Sequence, residues 1–169
     1  MQTYSMTVSG SVGCEMNPVF WEVRIGYPDA LEAKASELFE AGFGIMFRSS
    51  DVPDDSYIKA RIYFNFDAEG NISIVYVRAW LHAGAEGLYE FDAKRFVLAV
   101  WLEGGVEGGI KVKGKRYSII HVMLGANGQI IGQSGQDWQL SANARIYYSL
   151  DLWLTEIEGS VNWHISKSF

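Results

Sequence analysis

Apolar and polar residues alternate along most of this chain. Tyr4, Met6 and Val8 are separated by Ser5 and Thr7 and flanked by Thr3 and Ser9, the period-two pattern of a half-buried strand. Val19, Trp21, Val23, Ile25 and Tyr27 alternate with Phe20, Glu22 and Arg24 and predict a second strand. Pro18 stands at its start, where a missing N–H does least harm. Residues 43–48 predict a buried strand. Ile58, Ala60, Ile62, Phe64 and Phe66 then alternate with Lys59, Arg61, Tyr63 and Asn65. A turn over residues 67–71 and a return through Ile72, Ile74, Tyr76, Arg78 and Trp80 complete a hairpin. Its register buries Ile62 and Phe64 on one face and places Arg61 and Tyr63 on the other.

The second half continues the theme. Residues 96–102 read as an apolar strand, and Gly104, Gly105, Gly108 and Gly109 as a flexible loop. Residues 110–123 form a hairpin around Lys113-Gly114, residues 125–128 a turn, residues 138–154 a long alternating strand, and residues 160–166 a last one. One segment departs from period two. Asp29 followed by Glu32 resembles a capping box, Leu31, Ala35, Leu38 and Phe39 fall at helical spacing, and Gly42 suits a C-cap. A helix over residues 29–41 is therefore predicted, with Leu31, Leu38 and Phe39 facing the sheet.

These elements predict an all-β fold: a β-sandwich or flattened barrel of about ten antiparallel strands with one short α-helix. The length of 169 residues suits a single β-rich domain over 1–169. Ala60-Arg61-Ile62-Tyr63-Phe64 and Ala144-Arg145-Ile146-Tyr147-Tyr148 match across 84 residues. Either this traces a duplication of halves 1–84 and 85–169, or strands reuse a small alphabet.

Composition narrows the function classes. The net charge is −6 and the basic residues are scattered, so no nucleic-acid partner is expected. Residues 1–5 lack the basic and apolar regions of a signal peptide, and no apolar run approaches the ~20 residues of a membrane span. Cys14 is the only cysteine, so no internal disulfide is expected. The glycine-rich segments lack the spacing of a dinucleotide or phosphate loop, and Gly132-Gln133-Ser134-Gly135 is not a nucleophile elbow. No cofactor is implied.

Candidate chemistry is sparse. His82, His121 and His164 lack metal-ligand spacing, and no metal site is expected. Glu86 with Glu90, Glu103 with Glu107, and Glu156 with Glu158 are the carboxylate pairs available for glycoside hydrolysis. Strand-end glutamates are more often solvated, so no catalytic residue is assigned. Trp138, Trp153 and Trp163 are candidate sugar platforms, while Trp101 reads as core. Tyr4, Met6 and Val8 are candidate interface residues, because an alternating first strand can complete a neighbour's sheet edge. The leading expectation is a non-enzymatic structural subunit, of a virion, tail or filament kind, forming a homo-oligomer through strand and aromatic interfaces. The alternative is a carbohydrate- or small-ligand-binding domain with a glycan partner, extending to a glycoside hydrolase. A virion or extracellular assembly is the setting the first reading implies.

Overall fold

The structure is a computed structural model, and it describes residues 6–35, 38–152 and 155–169. Among them are eleven strands and no helix. The strands are β1 (Met6–Ser9), β2 (Val12–Met16), β3 (Phe20–Ile25), β4 (Leu31–Ala35), β5 (Phe39–Ser50) and β6 (Tyr57–Ile72). They continue with β7 (Val75–Glu90), β8 (Arg95–Val112), β9 (Lys115–Gln133), β10 (Gln139–Asp151) and β11 (Glu156–Ser168). All belong to one antiparallel sheet, ordered β1-β4-β5-β6-β7-β8-β9-β10-β11, which does not close. The all-β architecture of about ten antiparallel strands expected from the alternation is thus met. β3 and β4 lie end to end along one side of β5, with β2 outside β3 and β1 outside β4.

The predicted helix is absent. Residues 31–35 are β4, residues 39–41 open β5, and Gly42 lies within β5 instead of capping a helix. Leu31-Glu32-Ala33-Lys34-Ala35 fits a period of two as well as one of 3.6. Pairing decides between them, because β4 is held by β1 on one side and β5 on the other. Leu38 sits in the turn and is exposed. Ser36 and Glu37 lie outside the described residues.

Two expected breaks are also strand. Gly104, Gly105, Gly108 and Gly109 run through β8, with a bulge between Gly108 and Gly109, and residues 125–128 are the middle of β9. The β6–β7 turn falls later than predicted, at residues 73–74. Glycine weakens an isolated strand, but a neighbouring aromatic ring can cover the gap. Tyr63 covers Gly42, Trp101 covers Gly84 and Trp80 covers Gly105. A Cβ on each of these glycines would lie 2.3, 2.1 and 2.5 Å from the ring. The Lys113-Gly114 hairpin is as predicted, with positive φ of 50° and 80° at its two residues, the geometry that suits the right-handed twist of paired strands.

Among the described residues no second layer covers this sheet. The accessible surface is 11511 Å², against about 8,300 Å² for a compact chain of this mass. Among the described residues other than glycine, only Ala30, Met46, Tyr76 and Glu22 are buried. The β6–β7 hairpin shows the consequence. Arg61 and Tyr63 do share one face and Ile62 and Phe64 the other, but Ile62 is 60% exposed and Phe64 37%, while Arg61 and Tyr63 are half-buried. The expected burial is reversed, because no described part of the chain packs over the apolar face.

Candidate functional site: two chemically opposite sheet faces

Strand register sorts the side chains into two populations. One row crosses the sheet through Val8, Ala33, Ala41, Phe64, Ala83, Leu102, Ala126, Ala144 and Trp163. The adjacent row, on the other face, runs Thr7, Lys34, Glu40, Asn65, His82, Glu103, Gly125, Arg145 and Asn162. The separation persists along the strands. Among described strand positions on the apolar face, Lys115 and Lys167 carry the only charges, and both stand at strand ends.

The polar face is cross-linked laterally. Glu22 is buried between Arg24 Nε at 3.1 Å and Arg48 Nη1 at 3.4 Å. Lys59 pairs with Glu86 at 2.8 Å, Arg95 with Glu90 at 3.2 Å, and Arg78 with Asp67. Tyr63 donates to Glu32 and Tyr76 to Glu107, each at 2.6 Å. Long side chains lying across the sheet explain why this face is the better buried.

Arg48 also binds the loop before β6. Its Nε and Nη2 donate to Asp55 Oδ2 at 3.0 and 2.8 Å. These bonds, helped by Ser50, hold the Asp55 carboxyl below its usual range against an opposing contribution from desolvation. A carboxyl lowered in the folded state stabilises above its unfolded value of about 3.9, and that contribution is lost as pH falls through the folded value. Asp55→Asn is therefore expected to narrow the drop in melting temperature between pH 6 and pH 3. An unchanged drop would show that the pair does not couple to folding.

The sequence-predicted site residues are dispersed. Met6 and Val8 lie on the apolar face of β1, exposed, with β1 paired to β4 of the same chain. Trp163 stands on the apolar face midway along the edge strand β11. Trp138 is at one rim of that face, its indole over Gly132 and 6.4 Å from the Phe96 ring. Tyr4 and Trp153 lie outside the described residues. Trp138 and Trp163 have apolar neighbours and do not share a polar cleft.

One aromatic of the polar face, Trp101, is a residue that read as core. Trp101 heads a cross-strand row with Asn127, Asn143 and His164. Asn143 Nδ2 donates to Asn127 Oδ1 at 3.0 Å, and Asn143 Oδ1 lies 2.7 Å from His164 Nδ1. Glu103, Arg145 and Asn162 complete a shallow groove of ≈ 550 Å³. The signal for this site was present in the alternation, since Trp101 shares the parity of Glu103 and Glu107 and not that of Val100 and Leu102.

The carboxylate pairs all project from the polar face. Glu86, Glu90 and Glu107 are engaged by Lys59, Arg95 and Tyr76, and Glu158 accepts from Tyr147 at 3.4 Å. The histidines stand on separate rows of the same face, and His121 lies between the Trp80 and Tyr147 rings at 5.6 Å from each. Among the described residues no three His, Cys, Asp or Glu side chains converge as a metal site. No described helix is long and apolar enough to cross a membrane. Comparison of the chain with protein-family models, with curated proteins and with solved structures finds no match, so the two faces themselves are the basis for a functional reading.

Proposed function

We propose that this protein is a non-enzymatic structural subunit that self-assembles through its strand edges and aromatic surfaces. The observation that carries this reading is a sheet with apolar side chains over one whole face and an unclosed edge on each side. Monomeric proteins rarely leave so large an apolar surface bare. Unpaired strand edges are templates for another chain. β1 and β2 present one such edge and β11 the other, and Met6 and Val8 supply alternate apolar side chains beside the first.

Size in solution tests the proposal. Mass photometry in buffer and in a mild non-ionic detergent is expected to report assemblies well above the 18.9 kDa chain. Removing residues 1–9 strips β1 and bares the edge of β4, and a shift to smaller species is expected. A full-length protein that stays monomeric in both media would sink the reading.

The Trp101 groove favours a second reading, in which the polar face binds carbohydrate. An indole beside amide and imidazole groups suits a sugar ring, which has apolar faces and a hydroxyl rim. Under this reading Trp101→Ala abolishes glycan-dependent fluorescence changes while Trp138→Ala preserves them. A glycan array with no binders removes it.

A further inference from the structure

We infer that the apolar face is a lipid-contacting surface whose occupant is the hydrocarbon of a bilayer, with the polar face turned away from it. Four observations lead to this assignment.

The first is charge. At its described strand positions the apolar face is uncharged except at the ends of two strands, Lys115 and Lys167. Ordinary solvated faces are not patterned this way, whereas a lipid-facing sheet must be, because a charge at the bilayer midplane is strongly disfavoured.

The second is height. On β8 the apolar positions run from Phe96 to Val112, which stands opposite Lys115, about 53 Å of strand at about 3.3 Å per residue. With the tilt of about 40–45° usual for membrane strands this spans about 37–40 Å, enough to cross the ~30 Å hydrocarbon core and enter the headgroup region.

The third is the rim. Aromatic rings border the face at the end bearing the 51–56 and 91–94 loops. Trp21 and Phe47 lie 4.9 Å apart, Phe47 and Phe91 5.7 Å, Tyr89 and Phe91 5.3 Å, and Phe96 and Trp138 6.4 Å. Beyond them come Asp54, Asp92 and Lys94. An aromatic belt between an apolar band and charged loops is the arrangement found where a protein crosses the headgroup region.

The fourth is contour. Midway along β9 and β10, beside the β11 edge, the face carries small residues, among them Ala126, Gly128, Ala142 and Ala144, flanked by Leu102 and Trp163 around a shallow apolar depression of ≈ 350 Å³. A second protein layer needs bulky side chains there to fill the ≈ 10 Å between packed sheets. Acyl chains adapt to the hollow.

This goes beyond the assembly proposal and leans on it at one point. Backbone groups along the outer edges of β1, β2 and β11 cannot stay unpaired in hydrocarbon, so edge pairing must accompany insertion.

The test uses the full chain with Cys14→Ser, since Cys14 is free and exposed. Single cysteines placed by Leu102→Cys and Glu103→Cys carry an environment-sensitive nitrobenzoxadiazole dye, and phosphatidylcholine vesicles are added. A blue shift at position 102, quenched by brominated phosphatidylcholine, with position 103 unshifted, is the expected result. Leu102→Arg should lower the vesicle-bound fraction on the order of 30-fold, and Glu103→Arg should leave it nearly unchanged. Equal responses at both positions, or none, would overturn the inference. So would a blue shift at 102 already present in lipid-free buffer, in an oligomer that vesicles do not alter. That outcome assigns the face to a second copy and leaves the assembly proposal standing. A chain monomeric in both media that ignores vesicles overturns both.

Discussion

Replacing Tyr76 with alanine is expected to destabilise the fold by about 3–5 kcal/mol, the usual range for deleting a buried aromatic side chain. Tyr76 is fully buried in a sheet where very little else is. Its ring lies beside Gly109, where a Cβ would be 2.9 Å from Cε1, and the Arg116 guanidinium sits 5.5 Å from the ring centroid. Its hydroxyl donates to Glu107 at 2.6 Å. One side chain therefore ties β7 to β8 beside the bulge and reaches β9 through Arg116. Tyr76→Phe separates the contributions, because it keeps the ring and removes one hydrogen bond to a carboxylate, worth about 1.5–3 kcal/mol. Denaturant midpoints of the two variants against the parent make the comparison. A loss below about 1 kcal/mol for Tyr76→Ala would mean that the ring is not the anchor described.

Gly44→Ala is expected to cost about 3 kcal/mol, at the top of the usual range for overpacking. A Cβ on Gly44 would stand 2.0 Å from the carbonyl oxygen of Gly26. That obstacle is backbone, not a side-chain tip that can swing aside. The position matters because β5 changes partner there, from Leu31 of β4 opposite Phe43 to Ile25 of β3 opposite Ile45. The carbonyl of the corner between β3 and β4 fits only over a residue without a side chain. Gly87→Ala is the control. Nothing lies within 4 Å of its Cβ position, so a change within about 0.5 kcal/mol is expected. Equal melting curves for Gly44→Ala and the parent would show that the corner does not approach β5 this closely.

Much of the fold was legible because a strand's period is two. The alternation through Ile58–Phe66 assigned side chains to faces correctly, and the Lys113-Gly114 hairpin appeared where its turn residues placed it. What failed did so for identifiable reasons. Glu32, Ala33, Lys34 and Ala35 are acceptable in either a helix or a strand, and local pattern could not see β1 and β5 on either side of them. Gly105 and Gly109 of β8 read as breaks because the rings beside them, Trp80 and Tyr76, come from a different strand. Trp101 read as core because its apolar neighbours outweighed its parity.

Sequence by itself determined the chemistry of each face, since alternation dictates which side chains travel together whatever the strands pair with. It also determined that charge gathers on one face and is nearly excluded from the other. Tertiary structure alone decided which face is shielded. The sheet lays long polar side chains across their own face, where Tyr63 covers Gly42, Arg61 lies beside Gly44 and Glu22 sits between Arg24 and Arg48. Its described residues lay nothing over Ile62, Phe64 and Leu102. Burial depends on what packs over a face, and alternation carries no information about a second layer, so a pattern that reads as a core marks here a face that no described part of the chain covers.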